Sequence, residues 1–370
     1  MLTKFSVSNF KGFNSDFIFD LQDSNGYAFN KECIKNGVVN NALVYGQNGV
    51  GKSNLGLAIF DIIGHLSDME PNEPFYATYL NAYNSSKTAN FLYEFIFDTC
   101  KVTYKYSKTD HQAIVYESFS INGNELAFID RTISDEAKVY FKGTESLKTN
   151  LSNLNLSILK YVKNNSELAR NEENECFMKF IDFVEGMLFF RSLQENTYIG
   201  LESGSRTIAT DIIERGNVSD FEVFLNNAGV ECKLTVVKES GKDVLAFDFN
   251  GRTIAFYQIA SSGTRSLILF YYWLQRLREE SRVSFLFIDE FDAFYHYELA
   301  VLIVKQLKKN EIQFILTTHN TSLMTNDLLR PDCYFIMKKE SIKSLSRCSP
   351  KELREAHNLE KMYKADSFNA

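Results

Sequence analysis

The sequence predicts an α/β fold: a mixed, mostly parallel core sheet with an N-terminal antiparallel β-subdomain and a helical insert. Three observations carry that expectation. An apolar strand, a glycine-rich loop and a helix follow one another through "NALVYGQNGVGKSNLGLAIF", residues 41–60. Strands and helices alternate over the last third of the chain, the pattern of a parallel sheet. Between Asn90 and Arg131 lie the β-rich segments "NFLYEFIF", "KVTYKYSK", "AIVYESFSING" and "ELAFID", and "VTYKY" alternates as a half-solvated antiparallel strand does.

Composition sets the outer limits. The 370 residues are 45% hydrophobic and 24% charged, the proportions of a globular chain, which excludes disorder over most of its length. With 32 Phe and 19 Tyr there is ample side-chain volume for a core. A net charge of −7 argues against a broad constitutive nucleic-acid surface, while leaving open a local basic groove formed on dimerisation. The six cysteines are scattered with no C-x-x-C pair, and the opening "MLTKFSVSNFKGF" alternates like a strand, not like a signal peptide. No apolar run approaches the ~18 residues needed to cross a bilayer. The expectation is a cytoplasmic protein with reduced thiols and no membrane partner.

Taken in order, residues 2–21 read as two strands, "LTKFSVSNF" and "DFIFDL", joined by a turn around Gly12 and Asn14. "NALVYG" is a short buried strand, and a helix runs from Ser53 to about Leu66. Residues 145–190 turn helical, since "LSNLNLSILKYV" and "CFMKFIDFVEGMLFF" space their apolar residues by three and four. "SDFEVFLNNAGV" is a short helix, followed by strands at "KLTVV", "VLAFDF" and "TIAFYQI". The remainder is a helix at "SLILFYYWLQRLREE", a strand at "VSFLFIDE", a helix at "YELAVLIVKQLKKN", and strands at "IQFILTTH" and "CYFIMKK". This divides the chain into an N-terminal lobe (1–140), a helical insert (141–225) and a C-terminal lobe (226–370). The aromatic-rich strands and Trp273 read as core, not as base-stacking platforms.

Four motifs bear chemistry. Gly46, Gly51, Lys52 and Ser53 fit G-x-x-x-x-G-K-[ST], with Gln47, Asn48, Gly49 and Val50 between them and Asn54 next. Successive backbone N–H groups of such a loop form an anion nest, and the following helix adds its dipole. Lys52 would neutralise β- and γ-phosphates, and the Ser53 hydroxyl would ligate Mg2+. "FLFIDEFD" ends an apolar strand in Asp289 and Glu290. The first carboxylate is suited to the Mg2+ shell, the second to polarising an attacking water as general base. "ASSGTRS" places Ser261 and Gly263 before a long helix, where they could bind a phosphate; the alternative is a capped helix start, with Ser262 or Thr264 as the cap. "ILTTHN" puts His319 at a strand end, where a neutral imidazole can hydrogen-bond a γ-phosphate oxygen or the attacking water.

Together these motifs resemble the ABC-type P-loop ATPases of the SMC/RecF/OLD-like group, and in particular the compact stand-alone ATPases of prokaryotic anti-phage defence. "FSVSNFKGF" is similar to that group's first strand and turn, "SSGT" to a degenerate signature, "DEFDAFYH" to the acidic strand with its D-loop, and "HNLEKMYKADSF" to a common tail. The resemblance touches both ends and about two-thirds of the chain, the helical insert carrying little of it. It implies an ABC-type ATPase head in which Gly46 to Ser53 form the Walker A loop and Asp289 and Glu290 form Walker B. It places Ser261 and Gly263 at the signature, His296 at the D-loop carboxylate, His319 as the switch histidine, Gln194 as the Q-loop ligand to Mg2+, and Lys11 and Phe13 near the nucleotide. Ser262 and His296 depart from the group's usual glycine and aspartate.

The same resemblance implies ATP and Mg2+ as cofactors and a homodimer that closes over ATP through the signature serine of the second subunit. The stretch after His319 is too short for a Toprim nuclease, and the segment between Ser53 and Ser261 holds no long coiled coil or zinc hook. The expected role is a sensor and scaffold that controls a separately encoded effector, a nuclease, with a phage protein as trigger. The alternative is a DNA-binding repair or recombination ATPase.

Overall fold

The computed structural model describes residues 1–68, 76–152, 156–191, 197–200, 208–279, 283–293 and 296–368. The chain opens with β1 (Leu2–Ser8) and β2 (Phe17–Asp20), then the small pair β3 (Ile34–Lys35) and β4 (Val38–Val39), then β5 (Asn41–Tyr45). Two helical pieces follow, α1 (Lys52–Ile59) and α2 (Ile63–Leu66). Next come β6 (Ala89–Phe97), β7 (Cys100–Lys108), β8 (Ile114–Ile121), β9 (Asn124–Asp130) and β10 (Ser134–Val139). These five join β1 and β2 in an antiparallel sheet of order β10-β9-β8-β7-β6-β1-β2. Its alternating pattern is visible in β6, where Phe91, Tyr93 and Phe95 are buried against the core.

The middle of the chain supplies α3 (Ile158–Asn165) and α4 (Glu172–Glu185), then β11 (Met187–Arg191) and β12 (Thr197–Gly200). Here the sequence reading of one helix to residue 190 is corrected. The helix stops at Gly186, and "MLFFR" extends as a strand, because a short run that is apolar at every position suits a sheet covered on both faces. The stretch 141–225 is therefore not purely helical: it contributes β11 and β12 to the core. After α5 (Ile208–Glu214) and α6 (Val218–Asn227), a three-stranded sheet forms from β13 (Leu234–Glu239), β14 (Lys242–Phe249) and β15 (Arg252–Ala255). "TIAFYQI" is a strand only to Ala255, since Phe256–Ile259 coil into the single turn α7. The end of the chain brings α8 (Ser262–Glu279), β16 (Phe285–Asp289), α9 (Tyr297–Lys309), β17 (Gln313–Thr318), β18 (Tyr334–Met337) and β19 (Ile342–Ser344), and finally α10 (Leu345–Cys348) and α11 (Leu359–Lys364).

The second large sheet has the order β12-β11-β16-β17-β5-β18-β19. Its five inner strands are parallel to their neighbours, and β12 and β19 close the edges antiparallel. Every residue of β5, β11, β16, β17 and β18 is buried. That is why these strands read as unbroken apolar runs. Fold class is thus mixed α/β with a mostly parallel core sheet and an antiparallel β-lobe. Among the described residues no helix is long and apolar enough to cross a membrane.

Gln313 and Asp61 are among the polar groups that tie the lobes together. Gln313, at the start of β17, accepts from the Leu2 backbone N–H and donates to the Leu2 carbonyl, both at 2.8 Å. The helix expected from Ser53 to Leu66 is interrupted after Ile59, and Asp61 in the break turns into the β-lobe. Its carboxylate accepts from Lys108 Nζ at 2.7 Å, and from the Tyr79 and Tyr106 hydroxyls at 2.9 Å each. A buried carboxylate persists only with such partners.

Candidate functional site

The site lies at the carboxyl ends of β5, β16 and β17, where open α/β sheets gather their ligands. The loop leaves β5 at Gly46, and Gly51 adopts φ +107°, a left-handed turn that a side chain would strain, before α1 begins at Lys52. Gly46 is required for space: a Cβ there would lie 2.7 Å from Val50 Cγ2 and 2.8 Å from the Met337 carbonyl. Gln47, Asn48 and Gly49 are exposed at the loop's crest, whereas Lys52 is buried.

Lys52 Nζ donates to the Gly46 carbonyl at 3.0 Å and meets His319 Nε2 at 2.8 Å. Burial holds its ammonium below the ordinary lysine range, and the charges of Glu290 and Asp289 pull it partly back. Ser53 Oγ donates to Asp289 Oδ2 at 2.5 Å. Asp289 is the last residue of β16 and is buried. Glu290, the next residue, stands at φ +47°, a left-handed conformation uncommon outside glycine, and its Oε1 is 3.3 Å from His319 Nε2. The motifs at the loop, the acidic strand and the late histidine therefore converge on one spot.

Three residues absent from the sequence reading complete it. Thr317 Oγ1 donates to Asp289 Oδ1 at 2.7 Å and accepts from the Glu290 N–H at 2.8 Å. Thr318 Oγ1 donates to Asp292 Oδ1 at 2.7 Å, and burial raises that carboxyl above the usual aspartate range. Arg191 ends β11 in register with Asp289, buried, and its charge faces both Asp289 and Lys11. A hydroxyl and a cation at the ends of otherwise apolar buried strands were the available signals.

The other expected residues fall in different places. Lys11, at φ +47°, sits in the turn after β1, its Nζ 3.4 Å from the Thr78 carbonyl. The neighbouring Gly12 faces the Asn54 amide, with a Cβ built there 3.1 Å from Nδ2, and Phe13 lies against Gly51, so this turn covers the first turn of α1. Ser261 is exposed and caps α8: its Oγ accepts from the Thr264 N–H at 3.1 Å and pairs with Thr264 Oγ1 at 2.9 Å. Ser261 itself is the cap, in place of Ser262 or Thr264, and among the described residues its side-chain hydrogen bonds stay within its own turn; Gly263 lies in the first turn of α8. His296 precedes α9, exposed, with Glu298 3.9 Å away, and is not among the groups around Lys52. Gln194 and the side chain of Trp273 lie outside the described residues.

The donor set fits a magnesium nucleotide. Ser53 Oγ and Asp289 Oδ2 are adjacent hard oxygens, and Mg2+ is typically held by one or two such groups together with phosphate oxygens and water. The buried ammonium of Lys52 beneath an exposed loop of backbone N–H groups suits the phosphates themselves.

No curated protein matches the chain. Among solved structures it is similar to an Smc head bound to the C-winged helix domain of ScpA, at 16% identity and a TM-score of 0.47, covering 94% of this chain and 98% of that one. It is also similar to the SMC head domain from Thermotoga maritima, at 14% identity and a TM-score of 0.41, covering 93% and 98%. A third is the Smc head domain with an extended coiled coil, bound to the C-terminal domain of ScpA derived from Pyrococcus furiosus, at 15% identity, a TM-score of 0.44 and 98% coverage of each chain. The family described as "AAA domain, putative AbiEii toxin, Type IV TA system" matches residues 42–325, a span that includes the glycine loop, the acidic strand and His319. The chain belongs to this AAA_21 family of P-loop ATPases.

Proposed function

We propose that the chain binds ATP with Mg2+ at the Gly46–Ser53 loop, hydrolyses it, and uses ATP clasped between two copies to control a separate toxic effector. The observation that carries the reading is the meeting of Ser53, Asp289, Lys52, Glu290 and His319 at one end of the core sheet. In this reading the backbone N–H groups of Gly46 to Ser53 and the Lys52 ammonium hold the phosphates. Ser53 Oγ and Asp289 Oδ2 hold Mg2+, which when bound supplies Lewis-acid neutralisation of phosphate charge. Glu290 takes a proton from water at its carboxylate, and His319 Nε2, within reach of both Glu290 and Lys52, orients that carboxylate. Arg191 adds a buried positive charge beside Asp289.

Ser261 has no partner in its own chain's nucleotide loop, and its exposed position at the N-terminus of α8 supports a role completed by a second copy. Release follows when hydrolysis removes the bridging charge, a population shift between two assembly states. The family description, "putative AbiEii toxin, Type IV TA system", supports a link to toxin–antitoxin control; a separately encoded nuclease as the toxic effector is part of the proposal.

The decisive experiment measures phosphate release and molar mass by light scattering, with ATP and with or without Mg2+. Magnesium-dependent release and an ATP-dependent dimer are expected. No magnesium-dependent turnover at any protein concentration would overturn the reading. Steep salt-dependent DNA binding with ATP present would replace effector control by a DNA-directed role.

A further inference from the structure

We infer that Thr317 is the positioning residue for both acidic groups, one hydroxyl holding Asp289 Oδ1, so that Oδ2 faces the metal, and the backbone of Glu290 together. The inference rests on the reading of the site as one for magnesium and ATP. A threonine hydroxyl has one proton and two lone pairs. Here the proton goes to Asp289 Oδ1 at 2.7 Å, and a lone pair takes the Glu290 N–H at 2.8 Å. Thr317 has no exposed surface, so water does not compete for either bond.

The first bond divides the labour within Asp289. Oδ1 is tied back to β17, and Oδ2 alone is turned to Ser53 and the loop. Without that bond the carboxylate could rotate and offer either oxygen, or both, to the cation. The second bond acts on Glu290, whose φ of +47° is costly for a residue with a Cβ and persists only if its surroundings impose it. The Phe291 N–H, bonded to the Thr317 carbonyl at 3.1 Å, fastens the next peptide to the same residue. This left-handed step sends the Glu290 side chain back toward His319, rather than onward along the strand. Register explains why Thr317 can serve both: β16 and β17 run parallel, with Ile288 opposite Leu316, so the residue after Leu316 faces the strand's acidic end.

The test compares Thr317→Val, which keeps the shape and loses the hydroxyl, with Thr317→Ser, which keeps the hydroxyl. Two quantities are read: binding of a fluorescent ATP analogue in EDTA, and Mn2+ affinity by electron paramagnetic resonance with a non-hydrolysable analogue bound. Thr317→Val should bind nucleotide in EDTA like the wild type, yet lose about 10- to 100-fold in Mn2+ affinity and in turnover, as removal of groups that orient metal ligands does. Thr317→Ser should restore both. Wild-type Mn2+ affinity and turnover in Thr317→Val would overturn the inference. So would a parallel loss in Thr317→Ser, or loss of metal-free nucleotide binding by Thr317→Val, either of which would make Thr317 a fold residue only. Failure of the wild type itself to bind metal and nucleotide would instead overturn the underlying reading of the site.

Discussion

Ser53 Oγ lies 2.5 Å from Asp289 Oδ2, although 236 positions separate the two in sequence. The contact requires β5 and β16 to flank β17, which the sheet order provides. If these two oxygens hold the cation, Asp289→Asn should reduce turnover by about 10²–10³-fold while leaving binding of ATP in EDTA intact. Turnover by Asp289→Asn within a few-fold of wild type would remove Asp289 from the metal site.

Lys52 carries a pH dependence with a defined sign. Burial lowers its pKa below 10.5 in the ligand-free protein, and phosphates beside it would raise it again. The complex then binds more protons than the free protein at alkaline pH, so binding takes up protons and affinity falls as pH rises through that window. Calorimetry in buffers of different ionisation enthalpy should detect the uptake. Lys52→Ala should abolish binding, or leave a weak residue with no alkaline slope; retained affinity would sink the assignment.

Glu290→Gln keeps the size and removes the proposed base. It should slow hydrolysis about 10²-fold or more and accumulate an ATP-bound dimer on a sizing column with light scattering. Unchanged turnover would show that the proton goes elsewhere.

Ser261 caps α8 within its own chain, and the proposed dimer gives it a second, separable role. As the cap of α8 it should stabilise the fold by about 1 kcal/mol, the loss expected in Ser261→Ala by denaturant unfolding. Ser261→Arg should stay folded yet fail to dimerise with ATP. Normal dimer formation by Ser261→Arg would refute the composite site.

Lys108 and Asp61 form a buried pair at 2.7 Å with essentially no exposed surface. Lys108→Met alone should destabilise by about 3–5 kcal/mol, because it strands a buried carboxylate that the two tyrosines satisfy only in part. Adding Asp61→Leu should recover much of that loss, measured by the same denaturant titration. A single replacement without effect would mean that Tyr79 and Tyr106 alone satisfy Asp61.

The order of elements and the site's main groups were legible because each carries a local signal. Gly46 to Ser53 announce a loop between strand and helix, and Asp289 ends an apolar run. Errors arose where tertiary burial overrode a local period. "GMLFF" has helix-like spacing, yet it is buried on both faces as β11, and Phe256 coils where alternation pointed to a strand. Asp61 broke α1 from α2 because of partners on β7 and beside the turn, which no window around residue 61 contains. Thr317 and Arg191 matter through neighbours on other strands, and only the sheet order reveals those neighbours. The resemblance placed His296 at the D-loop; the structure shows it exposed ahead of α9, 3.9 Å from Glu298.

The placement of β5 between β17 and β18 also constrains how the protein comes into being. Its phosphate loop emerges from the ribosome well before the strand that must lie beside β5, with Thr317 and His319. A nascent chain therefore carries the loop for more than two hundred residues of growth before the carboxylates and histidine that face it appear; Ser53 and Asp289 are 236 positions apart. The loop meets the threonine and histidine that face it only once β17 has paired with β5, so assembly of the site waits on a long-range strand pairing.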